Sequence, residues 1–231
     1  MAENTLSLFV TGTDTGVGKS LVSAALLHAL AAFYPRVVGM KPVAAGTAWF
    51  EGVLANDDVL ALRAASTLAV PAELDNPVLL HDAVSPHIAA QRAGVAIDIA
   101  HLVRCQRALA RLADVVVVEG AGGFMVPLSP TQTGADLAQA LALPVILVVG
   151  MRLGCLNHAL LSASAIEACG LTLAGWVANQ LEPQMLAQRE NIVFLQSQLA
   201  APLLATIAFL ASPDPRHITV DIPAAWQENA Q

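Results

Sequence analysis

Residues 10–20 read VTGTDTGVGKS, and this stretch decides the fold. It follows a short, mostly apolar run, Leu6–Val10, and precedes a segment with apolar residues at helical spacing. The order is therefore strand, glycine-bearing loop and helix start. Such a loop turns backbone N–H groups toward an anion, and the first helical turn adds partial positive charge. Lys19 can reach terminal phosphates and the Ser20 hydroxyl can bind Mg²⁺, so we expect a nucleoside triphosphate site.

The glycine spacing differs from that of the common phosphate-binding loop, which has four residues between its first glycine and the Gly-Lys pair. Here five residues separate Gly12 from Gly18. A plainer interpretation is a glycine-rich turn before a helix that carries an exposed lysine. The order of strand, loop, lysine and hydroxyl favours the phosphate site.

Composition indicates a globular α/β protein. Of 231 residues, 56% are hydrophobic and only 13% are charged, which is enough apolar material for a large core. Aromatic residues are scarce, and Ala, Leu and Val fill that core, as is typical of a parallel sheet covered by helices. We expect one domain over residues 1–231, with the proline-containing tail 212–231 loosely ordered.

Charge and hydropathy argue against nucleic acid and membranes as partners. The net charge is −7 and no stretch is rich in Lys or Arg, which disfavours nucleic acid. The longest apolar runs, such as Val145–Val149, are much shorter than a bilayer span, and residues 1–4 carry no basic region of a signal peptide. The three cysteines have no C-x-x-C spacing, so we expect free thiols and a cytoplasmic location.

Strand-like and helix-like segments alternate along the chain. This alternation predicts right-handed βαβ units and a mostly parallel central sheet with helices on both faces, as in P-loop NTPases. The predicted strands are Leu6–Val10, Val37–Met40, Val115–Val118, Val145–Val149, Leu173–Val177 and Leu203–Ile207. The predicted helices are Lys19–Ala32, Asp57–Ala65, Ile97–Leu112, Asp136–Leu141, Leu156–Ala168 and Met185–Leu199, with Pro71–His87 irregular.

Polar or glycine-rich residues follow each of the first five predicted strands. Beyond the loop after the first strand, they are Lys41, Glu119, the segment 150–158 and Asn179. In open parallel sheets, ligands bind outside the carboxyl ends of the strands. We therefore expect these residues to meet at one edge of the sheet.

Glu119 ends an otherwise all-valine strand, where a carboxylate is costly unless it pairs with a cation or metal. Mg²⁺ held by Ser20, phosphate oxygens and carboxylates is the natural partner, although a turn carboxylate is the plainer alternative. Asp58 or its neighbour Asp57 is the candidate second carboxylate. The run from Asn56 also fits an ordinary helix N-cap, so both interpretations stay open.

Lys19 and Lys41 are the chain's two lysines. Two ammonium groups and Mg²⁺ would neutralise a triphosphate and the charge that spreads in phosphoryl transfer, whereas an exposed strand-end lysine is the alternative for Lys41. Residues 154–157 begin a helix whose free N–H groups could bind a carboxylate or simply form a cap. His87 and His158 have no assigned role.

The chain resembles the dethiobiotin synthetase family from about Leu8 to Leu210. The five-residue glycine spacing is that family's own form of the loop. The motifs that carry the resemblance are VTGTDTGVGKS at 10–20, KPVA at 41–44, SPH at 85–87, VEGAGG at 118–123, PVILVVG at 144–150, LGCLNH at 153–158 and AGWVAN at 174–179.

The resemblance implies ATP- and Mg²⁺-dependent closure of a cyclic urea on 7,8-diaminononanoate with CO₂, in a homodimer with sites at the subunit interface. It implies nucleotide binding by Gly12, Thr13, Asp14, Thr15, Gly16, Val17, Gly18, Lys19 and Ser20, with Asn179 reading the adenine. It implies metal binding by Ser20, Asp58 and Glu119. Catalytic roles fall to Lys19, Lys41 and Thr15, and substrate binding to Lys41, Ala45, Gly122, Gly154, Cys155 and Asn157.

The sequence departs from the family at several positions. Gly16 replaces a common glutamate, Ala45 a common serine and Asn191 a tyrosine of some members, while residues 205–208 replace a Gly-x-Ile-Pro pattern. These departures bear on base selectivity and substrate affinity, and we expect a relaxed preference among nucleotides from the altered stretch at 205–214.

Two rival functions share parts of this pattern. A partitioning-type ATPase switch has the same fold, but it carries a lysine at the start of the loop and a basic surface, neither of which this sequence has. A glutamine-dependent amidoligase would need an attached glutaminase domain, for which 231 residues leave no room.

Overall fold

The computed structural model describes residues 5–50 and 52–227. Strands and helices alternate along most of this length, as the sequence predicts. The strands are β1 (Leu6–Gly12), β2 (Val37–Met40), β3 (Val43–Ala45), β4 (Ala48–Phe50), β5 (Val53–Ala55), β6 (Val78–Leu80), β7 (Val115–Gly123), β8 (Val145–Met151), β9 (Leu173–Gln180) and β10 (Leu203–Ile207). The helices are α1 (Lys19–Leu30), α2 (Asp57–Ala65), α3 (Ala72–Asp75), α4 (Pro86–Ala93), α5 (Ile99–Leu109), α6 (Gly134–Leu141), α7 (Cys155–Ala168) and α8 (Gln188–Gln198), with short 3₁₀ helices at Pro215–His217 and Ala224–Trp226.

Six parallel strands form the central sheet in the order β10-β9-β8-β1-β7-β2. The valine run of β7 shows how both faces are covered. Val115 and Val117 pack in one apolar cluster with α1 and α2, whereas Val116 and Val118 pack in a second cluster with α5, α6 and α7. Burial on both faces explains why these strands are continuous apolar runs rather than alternating ones. The predicted fold class, a P-loop NTPase-like α/β sheet, is confirmed.

The segment Pro71–His87, predicted as irregular, contains regular structure. It includes α3, β6 and the start of α4, and β6 pairs in parallel with β3. Pro86 occupies the first turn of α4, and Gly94 ends that helix in the left-handed region with φ +65°. Both are common helix boundary residues. The prediction missed α3 and β6 because segments of three or four residues are too short to show a period.

The tail also differs from the prediction of loose order. As far as Gln227 it packs on α1 and the sheet, where Val220 and Trp226 join the apolar cluster. Asp221 donates its N–H to Leu204 O at 2.8 Å, and the buried hydroxyl of Tyr34 donates to Trp226 O at 2.7 Å. The apolar residues spaced among its prolines and polar residues account for the docking. Residues 228–231 lie outside the described residues.

Replacing Tyr34 with Phe tests this docking. Tyr34→Phe removes the donor from the buried Trp226 carbonyl, so the free energy of unfolding should fall by about 1 kcal/mol in urea titrations. His217→Ala changes an exposed side chain of the same segment and should stay within about 0.5 kcal/mol of the unmodified protein. Equal unfolding midpoints for Tyr34→Phe and the unmodified protein would contradict the docking.

None of the helices in residues 5–50 and 52–227 has the length and apolar character needed to cross a bilayer.

Candidate functional site

The loop between β1 and α1 depends on glycine at two positions. Gly18 has φ +89°, in the left-handed region that favours glycine, and a Cβ there would lie 2.2 Å from Asn179 Nδ2. At Gly12 a Cβ would lie 2.5 Å from Val17 Cγ2. The loop backbone therefore folds tightly against its neighbours and delivers the first turn of α1 to the edge of the sheet.

Hydrogen bonds and an ion pair hold the loop in place. Thr13 donates its N–H to Val148 O at 2.9 Å, which ties the loop to β8. The Asp14 carboxylate accepts from the Thr15 N–H at 2.7 Å and forms an ion pair with Arg152, in the connection after β8. The loop is thus fixed in shape by two neighbouring segments, which favours a preorganised anion site.

Lys19 begins α1 and is 7% exposed, with its Nζ 3.2 Å from Asp14 O. Burial, together with the nearby ammonium of Lys41, lowers the pKa of Lys19 to about 8. Burial therefore disfavours the protonated form of the Lys19 side chain. An anion bound in the loop would offset this effect, because a nearby opposite charge favours the protonated form.

The lowered pKa of Lys19 predicts a pH dependence of anion binding. Below about pH 8 the ammonium is charged before binding, whereas above that pH a proton must be taken up to form the complex. Without divalent metal, we expect nucleotide affinity to fall between pH 7 and pH 9, with proton uptake in calorimetry at pH 9. A Lys19→Met variant should lose the pH dependence. Identical affinity at both pH values in the unmodified protein would contradict it.

Behind the loop lies a buried cluster of opposite charges. Glu119 on β7 is 0% exposed, and its Oε1 accepts from Lys41 Nζ at 2.5 Å. Lys41 follows β2, is 4% exposed and also contacts Asp58 Oδ2 at 2.8 Å. The Ser20 hydroxyl lies 2.6 Å from Asp58 Oδ1 and 2.8 Å from Glu119 Oε1. The ends of β2 and β7 and the starts of α1 and α2 therefore converge on one point.

The charges in this cluster stabilise one another. Burial by itself would lower the pKa of Lys41, but the carboxylates of Glu119 and Asp58 outweigh it and raise that pKa. Burial opposes ionisation of Asp58 too, yet the Lys41 ammonium keeps the pKa of Asp58 below its ordinary value. The exposed strand-end lysine considered for Lys41 is therefore wrong.

Asp58, rather than Asp57, joins the site. Asn56 is the N-cap of α2, where its Oδ1 accepts from the N–H groups of Asp58 and Val59 at 3.1 and 3.3 Å. With the cap supplied by Asn56, the Asp58 side chain is free to reach Ser20 and Lys41. Asp57 is exposed.

The oxygen donors fit Mg²⁺ in combination with phosphate. Glu119 Oε2 is buried and has no hydrogen-bond partner among the described residues. No group of three or more His, Cys, Asp or Glu in residues 5–50 and 52–227 could hold a metal, and this site holds two carboxylates. Mg²⁺ is commonly bound by one or two carboxylates together with substrate phosphates. Ser20, Asp58 and Glu119 supply such a set.

These residues line a cavity of about 670 Å³. Thr15, Gly16, Ala45 and Gly122 also lie on it, as the resemblance implies. An apolar part of the lining, which we call the apolar wall, consists of Val43, Ala83, Val84, Pro86, Ala121 and Val126. The cavity thus combines charged residues, suited to phosphates, with apolar residues suited to hydrocarbon.

Eight predicted residues do not line this cavity: Gly12, Thr13, Asp14 and Val17 of the loop, together with Asn179, Gly154, Cys155 and Asn157. Asn179 lies on the other side of the loop, where its Nδ2 donates to Val17 O at 2.8 Å. Gly154, Cys155 and Asn157 lie at the start of α7, and the Cys155 side chain is buried in the core. Within one chain, these three residues do not line the cavity.

Ser85 is a cavity residue to which the sequence assigned no role. Its hydroxyl lies 3.0 Å from His87 Nδ1 and does not cap α4. The motif at 85–87 was the signal that could have found it. Val126 carried no such signal, because it lies in the connection after β7 and outside every motif that the sequence offered.

The central position of β1, the glycine loop after it and the buried lysine and glutamate at neighbouring strand ends define a P-loop nucleotide-binding protein. Comparison with known families agrees. Residues 7–216 match the family described as an AAA domain, and the chain belongs to that family.

Solved structures with the same fold include three FtsY proteins. They are the cell division protein FtsY of Thermotoga maritima (TM-score 0.55, 16% identity, 99% of this chain and 69% of that one), chloroplast FtsY of Physcomitrella patens (0.55, 15%, 98% and 65%) and the signal recognition particle receptor FtsY of Elizabethkingia anophelis (0.53, 15%, 99% and 66%). At such identities the likeness shows the fold alone. This chain spans about two thirds of the length of these proteins.

Proposed function

We propose that this protein is a dethiobiotin synthetase, which uses ATP to close a cyclic urea on 7,8-diaminononanoate with CO₂. One observation carries the proposal. The phosphate loop, two buried lysines and a buried glutamate line a cavity whose lining also includes six apolar residues. A reaction between a polyphosphate and an adduct on a hydrocarbon chain needs both kinds of lining.

The proposed reaction has three steps. The 7-amino nitrogen bonds to the carbon of CO₂ and loses a proton, which gives a carbamate. A carbamate oxygen then bonds to the γ-phosphorus of ATP and the bond to ADP breaks, forming a carbamic–phosphoric anhydride. The 8-amino nitrogen attacks the carbonyl carbon and loses a proton, and phosphate leaves with the electrons of the broken C–O bond.

This chemistry requires positioning and charge neutralisation rather than a protein nucleophile. Lys19 and Lys41 would neutralise the γ-phosphoryl group and the carbamate. Ser20, Asp58 and Glu119 would hold Mg²⁺, which supplies electrostatic stabilisation of the phosphates when bound. Thr15 would contact the reacting groups, a role supported by its position in the cavity lining beside Gly122.

The apolar wall of the cavity would pack against the hydrocarbon chain of the diamine. The terminal carboxylate of that substrate would bind the start of α7 from a second copy, as the resemblance implies, because Gly154, Cys155 and Asn157 lie away from the cavity of their own chain. The neighbouring Leu153 is 98% exposed, and an exposed apolar side chain beside this helix start supports burial in a homodimer.

The direct test is incubation with the diamine, ¹³C-bicarbonate, Mg²⁺ and ATP, followed by mass spectrometry. We expect a product heavier than the diamine by one CO₂ less one water, carrying one ¹³C, with one phosphate released per ring. An analogue that lacks the 8-amino group should yield no ring. Absence of the cyclic product from the complete mixture, with the protein folded and nucleotide-bound, would overturn the proposal.

The same assay separates the rival function and tests the nucleotide preference. A partitioning-type switch would hydrolyse nucleotide briskly without diamine, with stimulation by DNA or lipid vesicles. Turnover with ATP, CTP and GTP tests the relaxed preference expected from residues 205–214, and turnover with ATP alone would contradict it.

A further inference from the structure

The ammonium of Lys41 lies between the two carboxylates that would hold the metal. Its Nζ is 2.8 Å from Asp58 Oδ2 and 2.5 Å from Glu119 Oε1. Ser20 Oγ is within hydrogen-bond distance of the same Glu119 oxygen, Oε1, and of the other Asp58 oxygen, Oδ1. Three of the four carboxylate oxygens therefore already have partners, and only Glu119 Oε2 has none among the described residues.

A divalent cation that bound both carboxylates would meet this ammonium at close range. Two positive charges a few ångströms apart repel strongly in a buried site, so the cation and the ammonium cannot share the same oxygens. We propose that Lys41 occupies the metal's place in the nucleotide-free protein, and that binding of the metal with nucleotide displaces its ammonium into the cavity.

Displacement needs the nucleotide because of the burial of Lys41. An ammonium that is 4% exposed cannot leave its carboxylates without another anion, since a buried unpaired charge is costly. Its remaining contact is a weak one, to Gly120 O at 3.4 Å. Nucleotide phosphates in the adjacent loop would supply the new anionic partner, so Lys41 makes metal binding depend on nucleotide.

The displacement would also set an order of events. Lys41 is free to face an anionic substrate only after the metal and nucleotide have arrived. This inference rests on the nucleotide and metal part of the proposed function and not on ring closure, so it is tested without diamine or bicarbonate.

The first test measures Mn²⁺ binding without nucleotide, by electron paramagnetic resonance of free Mn²⁺. Lys41→Met keeps the length of the side chain and removes the charge, so it should tighten Mn²⁺ binding about tenfold or more. Lys19→Met is the matched control. It removes a charge that is also buried, at 7% exposed against 4% for Lys41, and whose Nζ contacts Asp14 O rather than the carboxylates, so its Mn²⁺ affinity should change much less. Adding Glu119→Gln to Lys41→Met should abolish the gain.

Equal gains in Lys41→Met and Lys19→Met would overturn the proposal, because general charge reduction would then explain both. No gain in folded Lys41→Met would also overturn it. A crystal structure of the unmodified protein with Mn²⁺ and a non-hydrolysable ATP analogue decides the matter even if the variant fails to fold. We expect Lys41 Nζ to have left both carboxylates. If the Lys41 ammonium were still bonded to both carboxylates beside the bound metal, the proposed displacement of Lys41 would be refuted.

Discussion

Lys41→Ala and Lys19→Ala should each abolish formation of the cyclic urea while the chain stays folded. Both lysines line the cavity in which the phosphates and the carbamate would lie. Loss of one such contact to developing negative charge commonly lowers the rate by about a hundredfold or more. We therefore expect turnover with saturating substrates, measured by mass spectrometry of the product, to fall at least that far in each variant.

The two variants should differ in stability. Lys41→Ala leaves Asp58 and Glu119 without their ammonium, so its melting temperature should fall, whereas Lys19→Ala removes a poorly solvated charge with no carboxylate contact at hydrogen-bond distance. Circular dichroism would establish that both stay folded. Arg104→Ala removes an exposed cation far along α5 and should leave turnover unchanged. Retained activity in both lysine variants would be incompatible with the roles assigned to them.

The sequence predicted the central sheet well because its strands are unusually clear. The sequence of a strand that is buried on both faces, such as Val115–Val118, is a continuous apolar run. This pattern does not depend on which other elements pack against the strand. The pair of β3 with β6 and the hairpin of β4 with β5 were not predicted. Strands of three residues show no reliable period, and the β3–β6 pairing depends on contacts about 35 residues apart.

The sequence likewise predicted some residues of the candidate site and not others. The rule that ligands bind beyond the carboxyl ends of strands was enough to bring together Lys41, Glu119 and the loop. It could not choose between Asp57 and Asp58, because that choice depends on Asn56 acting as the helix cap. Ala83, Val84 and Val126 of the apolar wall lie on connecting segments, whose positions no local pattern encodes.

Gly18→Ala should abolish nucleotide binding. A Cβ at Gly18 would lie 2.2 Å from Asn179 Nδ2, and this amide is held by its hydrogen bond to Val17 O, so it has little room to retreat. The residue also has φ +89°, which costs an alanine roughly 1–2 kcal/mol. The loop backbone must therefore shift at the point where it presents its N–H groups, and calorimetric titration with Mg²⁺ and ATP should show affinity lowered about a hundredfold or more.

Gly16→Ala distinguishes backbone strain from the steric contact with Asn179, the two causes of the loss expected in Gly18→Ala. Gly16 also has positive φ, at +73°, but a Cβ there meets nothing within 4 Å. It should lower the melting temperature through backbone strain while nucleotide affinity changes by only a few fold. If Gly16→Ala lost as much affinity as Gly18→Ala, backbone strain alone would explain the loss, and the contact with Asn179 would have no role in shaping the loop. If Gly18→Ala bound nucleotide normally, the phosphates would not lie in this loop, and the site would have to be sought elsewhere in the protein.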